Sequence, residues 1–348
     1  MTVLAPAELN NQTELECPRI RIVHRSANGD LSFDMPVDRI PEALADPSTL
    51  LWVDIERPEL DLVRIESLFR DVFKFHPLAI EDALQETHVP KLDDWGDYLY
   101  LVFHGLDFDP KSDHLILHEL DLFLGNNYLV SCHAVPMKPV ETLLRQLERD
   151  PERASKGPDH LLYHLLDQGT DDYLKAIEHL DETIDAAQEE VFAAPTPATL
   201  QQIFRIKRSA VKVHRIIAPQ REVMNRLARD SYKQIDGPDR VYFRDVYDHL
   251  VRLHDISETL RDLITGALDT YLSAISNRTN EIMKTLTLVT VMFLPMSFLA
   301  GFFGMNFFGE NLVLPFGLPR LTLFWINLGV MLSTPVGLFI WARRRGWF

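Results

Sequence analysis

Cysteine is nearly absent: Cys17 and Cys132 are the only two in 348 residues, far apart and without partners at metal-ligand spacing. That excludes a disulfide framework and a zinc module, and it fits a reducing compartment. The first thirty residues lack a basic start followed by an apolar run, so no secretory signal is expected. No nucleophile elbow, phosphate loop or paired metal-catalytic motif occurs and the thirteen histidines are scattered, so the chain does not read as an enzyme. The most informative absence is of charge. Residues 285–309 contain no charged side chain, and neither do residues 321–342. Each stretch exceeds the roughly 20 apolar residues that a bilayer-spanning helix needs.

Charge is abundant elsewhere, and it is unevenly placed. From Glu281 onward five basic and two acidic residues leave +3, so the −16 of the whole chain puts −19 on residues 1–280. A soluble portion that acidic repels nucleic-acid phosphates and attracts cations. Trp325 and Trp341 stand near the ends of the second span, and Arg343, Arg344 and Arg345 follow it. Positive charge beside a span stays in the cytoplasm. The expectation is therefore a protein of the cytoplasmic membrane with both termini inside and the 304–320 loop outside.

The portion before the spans reads in three pieces. From Pro18 to about His133, β-rich segments (20–23, 50–55, 98–103, 114–124, 128–131) alternate with helical ones, an α/β layer. A helical hairpin follows, broken at Pro195-Thr196-Pro197, with an acidic first arm (Asp171, Asp172, Glu178, Asp181, Glu182) and a basic second arm (Arg205, Lys207, Arg208, Lys212, Arg215). The arms are expected to pair by charge. After Gly237 and Pro238 a single helical pattern runs to Pro295 with no intervening proline. The organisation expected is a cytoplasmic α/β and helical domain over 1–236, a stalk helix over 237–284, spans over 285–303 and 321–342, and a basic tail over 343–348.

Steps of three and four residues along the third piece trace two helix faces. One is an apolar seam through Val246, Leu250, Leu253, Ser257, Leu260, Ile264, Ala267, Tyr271 and Ala274. The neighbouring face carries Asp248, Asp255, Asp262 and Asp269 at a seven-residue repeat, then Ser273, Ser276 and Asn280. In the same register it continues through Met283, Thr287, Thr290, Leu294, Ser297, Gly301 and Gly304, while Leu288, Met292, Leu299 and Phe302 fall on other sides. Several copies of this helix around an axis would make a tube, acidic below the bilayer and lined with small, hydroxylated or moderately apolar groups within it. Two spans per chain cannot enclose such a pathway, so a homo-oligomer is expected.

Between the spans stands Phe303-Gly304-Met305-Asn306-Phe307. Gly304, Met305 and Asn306 in that position resemble the signature of the CorA family of magnesium and cobalt channels. The resemblance implies an α+β fold: an N-terminal cytoplasmic α/β domain with a helical hairpin, and a stalk helix continuing into the first of two C-terminal transmembrane helices, assembled as a homopentameric funnel. It implies a channel for Mg²⁺, with Co²⁺ or Ni²⁺ possible, in which Gly304, Met305 and Asn306 form the selectivity filter. Mg²⁺ keeps several of its waters when bound. Amide and hydroxyl oxygens can hold such an ion without stripping them. By the same resemblance Asn280 is a second polar ring, and Met283, Leu286 and Leu294 form an apolar constriction. Strict stepping puts Thr290 in the wall, whereas alignment with the family puts Val291 there. Asp269, Thr287, Ser297 and Gly301 complete the expected lining.

Two further stretches, Tyr242–His249 and His76–Asp82, resemble the parts of these channels that bind divalent ions between subunits. They make Asp245, His249, Glu81 and Asp82 candidate regulatory ligands, and Asp167 matches a further family ligand. Ions there would hold a closed ring together, and falling cytoplasmic Mg²⁺ would release it. The alternatives are a zinc-transporting member of the superfamily, against which Met305 argues, and a membrane-anchored metal sensor with no pore.

Overall fold

A computed structural model describes residues 19–57, 62–85, 89–109, 114–305 and 320–346. The described chain begins with β1 (Arg19–Arg25), β2 (Leu31–Ser32), α1 (Ile40–Ala45), β3 (Leu50–Glu56), α2 (Leu62–Ser67), α3 (Pro77–Leu84) and β4 (Lys91–Asp94). It continues with β5 (Leu99–Asp109), β6 (His114–Leu124), β7 (Tyr128–His133), α4 (Lys138–Arg149), α5 (Pro158–Ala193) and α6 (Pro197–Arg229). Two long apolar-ended helices finish it, α7 (Arg240–Gly304) and α8 (Arg320–Arg344). Two compact units result, Met1–Leu268 and Asp269–Phe348.

In the first unit the strands form one seven-stranded sheet, ordered β2-β1-β3-β7-β6-β5-β4. Among the named strands of the described residues, β3 and β7 pair in parallel and the other pairings are antiparallel. The side-chain period of two splits each strand between two cores. Leu51, Val53 and Ile55 of β3, with Tyr98, Tyr100 and Val102 at β5, join Ile40, Ile65 and Ile80 of α1 to α3 on one face. Leu50, Trp52, Leu99, Leu101 and Phe103 face the other way, into a core shared with α4, α5, α6 and the start of α7. Both faces are covered, which is why these strands read as nearly continuous apolar runs. The strands expected from sequence are present with ends shifted by up to six residues, the largest shift being the extension of β5 to Asp109. β2 and β4 were not foreseen.

A polar knot interrupts the second core. Asp54, only 1% exposed, accepts from Arg21 Nε at 3.0 Å and Arg21 Nη2 at 2.6 Å, from Ser131 Oγ at 2.5 Å, and lies 3.1 Å from His133 Nε2. Glu141 of α4 takes the other guanidinium nitrogen of Arg21, and Trp52 donates to Ser131 at 3.0 Å. Burial alone would raise the Asp54 carboxyl, but the His133 bond and charge, together with Arg21 and Ser131, hold it below the usual carboxylate range.

The hairpin breaks where the prolines require: α5 ends at Ala193, and Thr196 caps α6 by accepting from Thr199 N at 3.2 Å, with Pro197 at the first helical position. What seats its arms is apolar. Ile177, Leu180, Ile184, Ala187 and Val191 on α5 and Ile203, Ile206, Ala210, Val213 and Ile217 on α6 are all buried. The ion pairs found on the arms, Lys175 with Asp172 and Arg226 with Asp230, are local to one helix. Among the described residues no ion pair joins the two arms, and the apolar seam seats them, as expected when exposed pairs contribute so little.

The seam of α7 is where the stepping placed it as far as Tyr271, whereas Ala274, expected to continue it, is only partly buried. Val246, Leu250, Leu253, Ser257, Leu260, Ile264, Ala267 and Tyr271 are buried, and Asp245, Asp248, Asp255, Asp262 and Asp269 beside them are exposed. Gln188 of α5 donates to Leu263 O at 3.3 Å, and His214 of α6 meets Ser257 Oγ at 3.1 Å. Hydroxyls of α7 also bond back to the preceding turn: Thr259 to Asp255 O at 3.1 Å, Ser273 to Asp269 O at 2.8 Å and Thr290 to Leu286 O at 2.9 Å. In the second unit α7 and α8 are each long and apolar enough to cross a membrane.

Candidate functional site

Asp245 and His249 stand one turn apart on α7 and so share a face. Asp167 comes from α5, whose buried residues Leu165 and Leu166 belong to the same core as Val246 and Leu250. Packing of the two helices brings one ligand atom from each of Asp167, Asp245 and His249 within 4.8 Å of one another. Asp167 is half-buried and the other two are exposed. Burial and then Asp171, one turn further along α5, raise the Asp167 carboxyl above its ordinary value, and a hydrogen bond from Tyr163 works against them. Tyr163 itself is pushed up to about 12 by burial and by Asp167 and Asp245, so it remains a proton donor at neutral pH. Its ring packs 5.0 Å from that of Tyr242. Two carboxylates and an imidazole suit a divalent ion that accepts oxygen and nitrogen donors. A divalent ion held here would be held by Asp167, Asp245 and His249, and would supply positive charge between the two carboxylates.

Three of the expected ligands are thus brought together by the packing of α5 and α7. Glu81 and Asp82 are not part of the cluster. Both ride on α3, where Glu81 is exposed and Asp82 forms an ion pair with Lys91, which also reaches Asp93 at 3.2 Å. Tyr163 and Asp171 were missed. Their signal was present, since each is four residues from Asp167 on the same helix.

A second acidic group, Asp159 with Asp236 and Asp239, has a different purpose. Asp159 accepts from His160 N at 3.0 Å and from Asp236 N at 3.1 Å, tying the start of α5 to the segment that leads into α7. Its carboxyl, raised to about 6 by burial, is occupied by backbone donors.

The expected pore wall lies on α7. Asp269, Asn280, Met283, Leu286, Thr287, Thr290, Val291, Leu294, Ser297 and Gly301 are all exposed, whereas Leu288, Met292 and Leu299 are partly buried. A Cβ added at Gly301 or Gly304 would meet nothing within 4 Å, so no neighbour in this chain requires a glycine there. The helix closes at Met305, whose N–H donates to Phe302 O at 3.4 Å. Gly304 and Met305 are described; Asn306 lies outside the described residues. Ile282, Leu286, Phe293, Leu294 and Phe298 on α7 and Phe324, Trp325, Leu332 and Val336 on α8 are exposed, an apolar surface far too extensive for water.

Fold and site together define a class: an acidic α/β unit and a pair of bilayer-length apolar helices joined by one long helix, the layout of a divalent-cation transporter. The sequence profile of the CorA-like Mg²⁺ transporter protein family matches residues 47–344. The cobalt/magnesium transport protein CorA of Thermotoga maritima is 34% identical over 307 residues, 87% of this chain and 84% of that protein. YfjQ of Bacillus subtilis is 31% identical over 330 residues, 94% of this chain and 98% of YfjQ. The complete structure of the CorA magnesium transporter from Methanocaldococcus jannaschii superposes with a TM-score of 0.78 across 94% of this chain and 98% of that one, at 21% identity. The zinc transport protein ZntB of Yersinia enterocolitica also matches, at 24% identity over 274 residues, 77% of this chain and 80% of ZntB. The chain belongs to the CorA-like Mg²⁺ transporter family.

Proposed function

We propose that this chain is a magnesium channel, with Co²⁺ and Ni²⁺ as further permeant ions, that assembles as a homopentamer in the cytoplasmic membrane and closes when cytoplasmic Mg²⁺ rises. The observation that supports it most is α7 itself: one face buried, the adjacent face an exposed row of aspartates, and the same helix running unbroken into a charge-free span. In the assembly the aspartate row collects cations, Asn280 and Asn306 hold them by their amides, and Met283, Leu286 and Leu294 close the path by dewetting. Residues 1–236 and the stalk over 237–284 are cytoplasmic, and the 304–320 loop is external.

Gating follows from the Asp167, Asp245 and His249 cluster. A divalent ion, when bound, supplies the positive charge that lets these carboxylates remain close. Without that charge Asp167, Asp245 and the nearby Asp171 repel, which loads the α5–α7 packing at the root of the stalk. Glu81 and Asp82 of a neighbouring subunit complete the remaining positions, so closure and subunit contact are linked, to the extent that the closed state holds the ion more tightly.

The test is Mg²⁺ entry into liposomes containing the purified protein as Mg²⁺ on the cytoplasmic side is raised. The parent conducts and then shuts. Asp167→Asn with Asp245→Asn should conduct equally but require about tenfold or more Mg²⁺ to shut, the scale on which altered ligation changes metal affinity. An unchanged closing curve would remove the cluster from gating, and a parent that passes no Mg²⁺ would remove the channel reading. The similarity to ZntB favours zinc as a second reading, which parallel Zn²⁺ flux distinguishes.

A further inference from the structure

The first unit is strongly acidic, yet one cavity in it is not. A cavity of about 650 Å³ opens between β6, the β7–α4 connection and α6, and its lining includes Arg57, Lys212 and Arg215 but a single carboxylate, Glu119. His104 and His118 complete the polar lining, and Leu115, Ile116, Leu117, Val135 and Ile216 supply an apolar wall.

The carboxylate is already engaged. Glu119 is 5% exposed and lies 3.7 Å from His104 Nε2. His118 leans on Asp107 at 3.2 Å, outside the lining. The cations are less occupied. Arg57 is anchored by Nη1 to Leu84 O at 2.8 Å, while its buried Nε has no hydrogen-bond partner. Among the described residues Lys212 bonds Leu115 O at 3.4 Å and nothing else, and Arg215 forms no ion pair. A buried guanidinium donor left unsatisfied is costly, and such groups call for a ligand or a functional account. Arginine and lysine around an apolar wall, in a volume within the usual range for small-molecule sites, match a phosphate carried on a larger body.

We propose that this cavity binds a small phosphate-bearing anion of nucleotide size. The site is independent of the channel reading and shares no residue with the α5–α7 metal cluster. Equilibrium dialysis of the full-length detergent-solubilised protein against radiolabelled ATP tests it, with free Mg²⁺ buffered at one level so that chelation is constant. Saturable binding is expected at one ATP per chain. Lys212→Gln with Arg215→Gln, both exposed positions, should weaken it about tenfold or more, the loss typical of charge-assisted bonds. Lys175→Gln, an exposed lysine outside the cavity, should leave it unchanged. Competition by inorganic phosphate at matched concentration would identify the phosphate group alone as the ligand; competition only by other nucleotides would assign the apolar wall a role. Absence of saturable binding in the parent, or parental affinity in the Lys212/Arg215 variant, overturns the proposal.

Discussion

At the scale of single residues, Asp54 shows how a carboxylate can be buried and remain charged. Its oxygens accept from Arg21 and Ser131 and meet His133, so removing the charge leaves Arg21 with only half its anionic partners. Asp54→Asn should cost roughly 3–5 kcal/mol, the range for breaking a buried ion pair from one side. The sign of its pH dependence is fixed by the depressed carboxyl: the stability it contributes is complete above about pH 4, the ordinary carboxylate value, and is lost as pH falls through the lower folded value. Thermal melts of the parent should therefore drop in acid more steeply than those of the variant; parallel curves would show that the pair adds nothing. Asn306 belongs at this scale too. Asn306→Ala should abolish Mg²⁺ uptake with the assembly intact, and parental uptake by an intact assembly would remove the amide ring from selection. These two residues also mark the limits of sequence reading. Asn306 stood out because its motif sits between two spans, whereas Asp54 gathers partners 33, 77 and 79 residues away through sheet pairing that no local pattern reveals. Asp167 was reached by family resemblance alone, because a lone aspartate on an acidic helix carries no local mark of the α7 residues it will meet.

At the scale of elements, α7 was the most legible part of the chain. Its seam could be read because one buried stripe recurs every three to four residues, and each seam position from Val246 to Tyr271 is buried. The edge strands were illegible for the opposite reason: β2 has two residues and β4 four, too few for alternation to register. Composition misled in the hairpin, where oppositely charged arms suggested charge pairing and apolar side chains do the seating. The proposed shared pore dictates which exposed positions of α7 face water. Single cysteines at Asp269, Asn280 and Thr287 should react with water-soluble thiol reagents and block flux on modification, while Leu288 and Met292 should stay inert. The reverse labelling pattern would assign the pathway to another face.

At the scale of the whole molecule, the exposed apolar surfaces of α7 and α8 need covering by a bilayer, and the proposed shared pore needs further copies of the chain as well. The mass of the detergent-free particle, measured in native conditions, should equal five chains of 40.1 kDa. A monomer that still conducts would end the shared-pore reading. One detail of α7 then bears on which ions such an assembly would admit. Thr259, Ser273 and Thr290 each spend their only hydroxyl hydrogen on a carbonyl of their own helix. What they present outward is oxygen lone pairs alone. Water around a cation turns its hydrogens outward, and water around an anion turns its oxygens outward. Hydroxyls so turned receive the first and offer nothing to the second, so these neutral side chains would favour a hydrated cation wherever they meet the pathway.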